Sequence, residues 1–198
     1  MQDFLRHIKS KNQKFRCYEC CDENKTLTVD IYNELKPGVT ENEIPLLTRL
    51  FSEESEEIVA FYKMYNGIKL YCSGVISGLK IYPVNDLERL NEEWKEELSC
   101  YEQDELYDFQ NGGVAFGEIP YSGNHFVLFE GKVFYNDHDG GDDTPVGNTF
   151  NDFLSKIAID PAGFLYDMGC YTRYSDGKTE DQYIPKEFFA DEDELSLL

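Results

Sequence analysis

Only three residues, Glu130-Gly131-Lys132, separate two apolar runs, Phe126 to Phe129 and Val133 to Tyr135. Parallel strands need a crossover of about a dozen residues or more, so these two runs can pair only as an antiparallel hairpin. A third run, Val114 to Ile119, comes just before them, with turn-forming residues between. Helical patterns precede these strands and another follows them. That order points to an α+β fold, with helices packed on a twisted, mainly antiparallel sheet, and not to a parallel βαβ one.

The helical patterns are legible from their stripes. Phe4, Leu5 and Ile8 predict a short helix near the start, inside a basic stretch carrying Arg6, Lys9, Lys11, Lys14 and Arg16. Thr26 to Ile31 alternates polar and apolar residues, as a half-buried strand does, and Pro37-Gly38 then breaks the chain. Thr40-x-x-Glu43 reads as a capping box for a helix through Leu50, with Pro45 awkwardly just inside it. Ser52 is placed to cap the next helix. Glu53, Glu54, Glu56 and Glu57 suit its first turn, Ile58, Phe61, Tyr62 and Tyr65 form its stripe, and Asn66-Gly67 ends it. Leu79 to Tyr82 is a short strand stopped by Pro83. Asn85-x-x-Glu88 is a second capping box, ahead of a stripe of Leu87, Leu90, Trp94 and Leu98. Residues 99–112 read as an acidic surface loop. Asn148 or Thr149 caps a helix with Phe150, Phe153, Leu154 and Ile157, stopping near Asp160-Pro161. The remainder is tyrosine-rich and ends in the acidic run Asp191 to Glu194. Three stretches follow: an N-terminal extension over 1–39 with a short helix and strand, a main domain over 40–160, and a C-terminal extension over 161–198 packed on the same domain.

At 198 residues the chain can bury roughly 70% of its unfolded surface, so a core needs neither disulfide nor metal. Acidic residues outnumber basic ones 39 to 18, a formal charge of −21. Such a surface repels phosphate backbones and anionic membranes, so neither nucleic acid nor a membrane is an expected partner. It attracts a basic protein and speeds encounter with it. The residues Met1 to Lys9 lack an apolar signal core, and no stretch approaches the roughly 18 apolar residues of a membrane span, so a cytoplasmic location is expected. In a reducing compartment the six cysteines, including the cluster Cys17, Cys20 and Cys21, read as free thiols packed like small apolar groups. Zinc is disfavoured because no second C-x-x-C or paired histidine set accompanies the cluster.

Catalytic patterns are weak. Ser122 lies in no Gly-x-Ser-x-Gly, Gly112-Gly113 belongs to no phosphate loop, and paired carboxylates carry little information in so acidic a chain. The densest polar cluster is Asn136-Asp-His-Asp-Gly-Gly-Asp-Asp143. It lacks the spacing of a calcium loop and reads first as a solvated loop after a hairpin strand, then as a partner contact, and last as a metal site.

The order of parts resembles a known family. It runs from Phe61-Tyr-Lys-Met-Tyr-Asn-Gly67 through Leu79-x-Ile-Tyr-Pro-Val-x-Asp-Leu-Glu88 and Val114-Ala-Phe-Gly-Glu-Ile119. Gly131-Lys-Val-Phe-Tyr-Asn-Asp-His138 and Asn148-Thr-Phe-Asn-Asp-Phe-Leu154 complete it. Over roughly residues 40–160 the chain resembles the Smi1/Knr4 family of the SUKH superfamily. One departure is Leu50-Phe51, where the family usually has Leu-Pro ahead of the acidic helix. The resemblance implies a non-catalytic domain without cofactors. It further implies either an immunity protein that neutralises a cognate toxin, often a nuclease, or a regulatory scaffold like the fungal members. A metal-dependent hydrolase built on the 137–143 loop is the remaining alternative. On the immunity reading, the expected partner is a basic toxin domain. Its expected contacts are Asp137, His138, Asp139, Asp142 and Asp143, with Glu118 alongside if the strands pair as drawn.

Overall fold

The hydrophobic alternation in the middle of the chain is realised as a strand meander. The computed structural model describes residues 2–9, 12–51, 56–99, 111–138, 144–170 and 183–190. Helix α1 (Gln2–His7) leads into β1 (Gln13–Glu19), β2 (Asp22–Asp30) and β3 (Tyr32–Pro37). Helices α2 (Ile44–Leu50) and α3 (Glu56–Met64) precede β4 (Tyr65–Cys72), β5 (Leu79–Ile81) and α4 (Val84–Leu98). Strands β6 (Val114–Glu118), β7 (His125–Phe129), β8 (Lys132–Asn136) and β9 (Thr144–Gly147) follow. Helices α5 (Phe150–Ile159) and α6 (Pro161–Asp167), then β10 (Tyr183–Ala190), complete the order. Strands β3 to β9 lie in sequence order in one sheet, and a smaller sheet has the order β10-β1-β2. All the described pairings are antiparallel. The fold is α+β.

The β7–β8 hairpin turns on Glu130 and Gly131, whose φ angles are 48° and 75°. Two consecutive left-handed residues match the strand twist, and Lys132 pairs directly with Phe129. Helix α5 buries Phe150, Phe153, Leu154 and Ile157 and is capped by the Thr149 hydroxyl, which accepts from Asp152 N at 3.2 Å. Its aromatic rings meet Phe61 of α3 and Phe116 of β6 edge-on, at 5.3 Å and 5.5 Å from Phe150. The same core runs on into Phe4, Ile8, Phe15 and Cys17 near the start of the chain.

Helix α4 closes a gap in the sheet. Strand β5 is short, and its register with β6 covers only Gly117 and Glu118. Farther along β6, Ala115 has no strand on that side among the described residues. The Asn91 side chain takes its place, accepting from Ala115 N and donating to Ala115 O, both at 2.8 Å. A helix side chain therefore does what the next residue of a strand would do.

Several elements depart from the sequence pattern. Helix α3 stops at Met64, and Tyr65 to Cys72 pairs with β3 and β5 as a strand, so Asn66-Gly67 is not a helix end. Gly67 has φ of 90°, and a Cβ there would lie 2.8 Å from Pro83 N. Only glycine permits that approach. Neither capping box forms as spaced. Glu43 does reach back to Thr40 N at 2.7 Å, but α2 begins after it, which puts Pro45 in the first turn where no N–H is required. Helix α4 starts at Val84, ahead of Asn85, and its first N–H donates at 2.7 Å to Oδ1 of Asn66 on β4. Ser52 lies outside the described residues. At Asp160-Pro161 one helix ends and α6 begins, because Asp160 accepts from Gly163 N at 3.0 Å.

Asn66 thus caps a helix distant in sequence. Replacing it by Ala is expected to lower stability by about 1 kcal/mol, the usual cost of a lost cap. Asn66→Asp keeps the acceptor but sets a second carboxylate against Glu43 Oε1, to which the Asn66 amide donates at 3.1 Å. It should therefore recover the urea midpoint only in part, and more fully at low pH.

Candidate functional site

Register brings together one end of three strands. Glu118 ends β6 opposite His125, and His125 begins β7 opposite Asn136, the last residue of β8. Asp137 and His138 follow directly. Three of the residues singled out from sequence, Glu118, Asp137 and His138, therefore sit at this same end. Asp139, Asp142 and Asp143 lie outside the described residues.

Each charged group here has a structural neighbour. The Glu118 carboxylate pairs with Lys80 Nζ at 3.2 Å, both half-buried. Lys80 in turn lies 3.6 Å above the Tyr82 ring, a cation–π contact. Burial first, then the Glu118 carboxylate, pushes the Tyr82 phenol well above its ordinary value. His138 is anchored by Asn124, whose Oδ1 accepts from its backbone N at 3.0 Å and lies 2.6 Å from its Nδ1. His125 is buried at 9% exposure. Burial lowers its pKa below the ordinary histidine value, against the opposing fields of Glu97, Glu118 and Glu93. It is therefore neutral at pH 7.

Those fields identify residues that sequence reading passed over. The stripe of α4 faces inward, which leaves Glu92, Glu93, Glu96 and Glu97 exposed on its outer side. Glu93 and Glu97 lie within electrostatic reach of His125, as does Glu118. The Trp94 indole fixes α4 to this end of the sheet by donating to Asn136 Oδ1 at 2.7 Å. The signal was the helical period itself, since an inward stripe at 87, 90, 94 and 98 forces positions 93 and 97 outward. The result is an acidic surface from α4 across Glu118 to Asp137, within which Glu93 is paired with Arg89 at 2.9 Å and Glu118 with Lys80.

A profile of the SMI1 / KNR4 family (SUKH-1) matches residues 55–156. The chain belongs to this family. The SMI1/KNR4 match starts just before α3 and runs into α5, so it contains the whole of the acidic face. It also contains Asn66 and Gly67, the pair that ties β4 to the start of α4. No curated protein matches the chain.

Beside the face, an open cleft of about 490 Å³ is lined by Tyr135, Val146, Phe164 and Met168 together with Asp137, Asp167 and Lys156. A lining that mixes apolar side chains with charged groups can accept an anchoring side chain with a polar tip. Among the described residues no group of three or more His, Cys, Asp or Glu is arranged to hold a metal. No helix among them is long and apolar enough to cross a membrane.

The cysteines divide into two classes. Cys17, Cys72 and Cys170 are buried, and burial pushes Cys17 up to about 12 and Cys72 up to about 11. They stay protonated and inert at neutral pH. Cys20 and Cys21 are exposed instead, contrary to the expectation that all six pack as apolar groups. They occupy a turn, where no core is within reach. Cys100 lies outside the described residues.

Proposed function

We propose that this SMI1/KNR4 chain is an immunity-type protein that neutralises a basic toxin domain by binding and covering it, without turnover of its own. The observation that supports this reading is the acidic face formed by the outer side of α4, Glu118 and Asp137. On a chain of net charge −21, that face concentrates a negative field beside the open cleft. The field accelerates encounter with a cationic partner, and a side chain seated in the cleft slows its departure. Asp139, Asp142 and Asp143 follow Asp137 closely in sequence and add to the negative charge of that segment.

The test is co-expression with the product of the adjacent gene. The two should purify together, and the partner's toxicity should disappear. Reversing Asp137, Asp139, Asp142 and Asp143 to Lys should slow association at least about tenfold at low salt and flatten its salt dependence. An association rate indifferent to these reversals removes the face from the binding site.

A further inference from the structure

The β1–β2 hairpin splits the Cys17, Cys20, Cys21 cluster. Along β1 the residues Gln13, Phe15 and Cys17 alternate inward, and Cys17 is fully buried opposite Leu27. The last pair of the hairpin is Glu19 with Asp22. That leaves Cys20 and Cys21 as its two corner residues, both exposed. Adjacent Cα atoms are about 3.8 Å apart, so rotation about χ1 alone can bring both sulfurs to a single atom. The core need not move.

The flanking oxygen donors are engaged within the hairpin. Glu19 pairs with Lys25 at 2.6 Å, and Asp22 Oδ1 accepts from Asn24 N and Nδ2 at 3.1 Å and 3.3 Å. What the tip offers is two soft sulfurs. That donor set is too small for tetrahedral zinc, which takes four ligands, but it suits a soft centre that needs only two.

We propose that Cys20 and Cys21 form a dithiol site for trivalent arsenicals. The hydrated arsenical R–As(OH)₂ exchanges its two As–O bonds for two As–S bonds. Each thiol proton leaves with a hydroxyl as water. Arsenic stays trivalent and neither sulfur is oxidised, so no co-reactant is needed. The second As–S bond closes intramolecularly, which raises retention by about a hundredfold or more over a single thiol. The site does not depend on the binding role proposed above.

The probe is phenylarsine oxide, added to the folded chain and followed by intact-protein mass spectrometry. One equivalent should bind, survive an excess of glutathione, and be released by a dithiol such as dithiothreitol. Cys20→Ser and Cys21→Ser should each make the adduct about a hundredfold easier to remove with glutathione. Thermal melting of both variants should match the parent, because neither side chain is in the core. Cys72→Ser should leave retention unchanged. Two results would overturn the assignment. One is an adduct of undiminished retention in the Cys20→Ser, Cys21→Ser double variant, which would seat it on another cysteine. The other is a parent adduct that glutathione strips as easily as it does from the single variants.

Discussion

Phe153→Ala is expected to destabilise the protein by about 3–5 kcal/mol, lowering the urea midpoint by roughly 1–2 M. Phe153 is fully buried on α5, and its ring centroid lies 5.1 Å from Phe126, 5.7 Å from Phe116 and 5.8 Å from Phe164. Those partners belong to β7, β6 and α6, so one side chain joins two adjacent strands of the large sheet to two helices. Truncation opens a cavity whose walls are themselves rigid rings pinned by other contacts, which limits collapse. Phe153→Leu restores most of the volume and should cost less than about 1.5 kcal/mol. If both substitutions cost the same, edge-on ring geometry rather than volume sets the stability of this cluster.

Asn91→Ala should cost about 2–4 kcal/mol by a different route. The lost side chain leaves Ala115 N–H and C=O buried without partners, and each orphaned group costs roughly 1–3 kcal/mol. Asn91→Leu separates this cause from packing. Leucine suits a stripe that already holds Leu87, Leu90 and Trp94, yet it cannot bond Ala115. It should therefore destabilise as well, despite its greater hydrophobicity. A variant with leucine as stable as the parent in urea unfolding would show that the sheet edge tolerates the unpaired groups.

These two residues mark the limit of what the chain reveals before it folds. The stripe of α5 is a local pattern, and so is the Glu130-Gly131 turn, because a helix period and a pair of left-handed residues are set by neighbours in sequence. Strand β4 was hidden by a conflict of the same kind. Tyr65 continues the stripe of Ile58, Phe61 and Tyr62, so the helical pattern runs past the true end. Pairing of Ile68 with Leu35 and Ile81 decides the matter, and those partners are distant. Strand β10 carries Pro185, which argues against a strand until the partner is known. The register of β1 slips between Arg16 and Cys17, opposite Glu187 and Pro185, and an irregularity of that sort accommodates a residue without an N–H. The first N–H of α4 likewise finds its acceptor on Asn66, which no local motif could announce.

The candidate site was legible in part for the same reason. Glu118, Asp137 and His138 flank a hairpin whose geometry is local, so their convergence followed from strand order. The outward glutamates of α4 join them only because Trp94 docks onto Asn136, a contact between side chains 42 positions apart. Asn91 gave one signal that could have been used. It lies four residues after Leu87, inside an otherwise apolar stripe, and a polar residue there must find a buried partner.

The pairing of β1 with β10 has a consequence for synthesis. Arg16 and Glu187 form an ion pair across 171 positions of chain. At about 5–20 residues per second, the β1–β2 hairpin leaves the ribosome roughly ten seconds or more before its third strand exists. During that interval β1 carries a row of open amides and carbonyls beside Phe15, the kind of border to which another nascent chain can attach. Folding yield should therefore depend on how fast the roughly 150 codons between the hairpin and β10 are read.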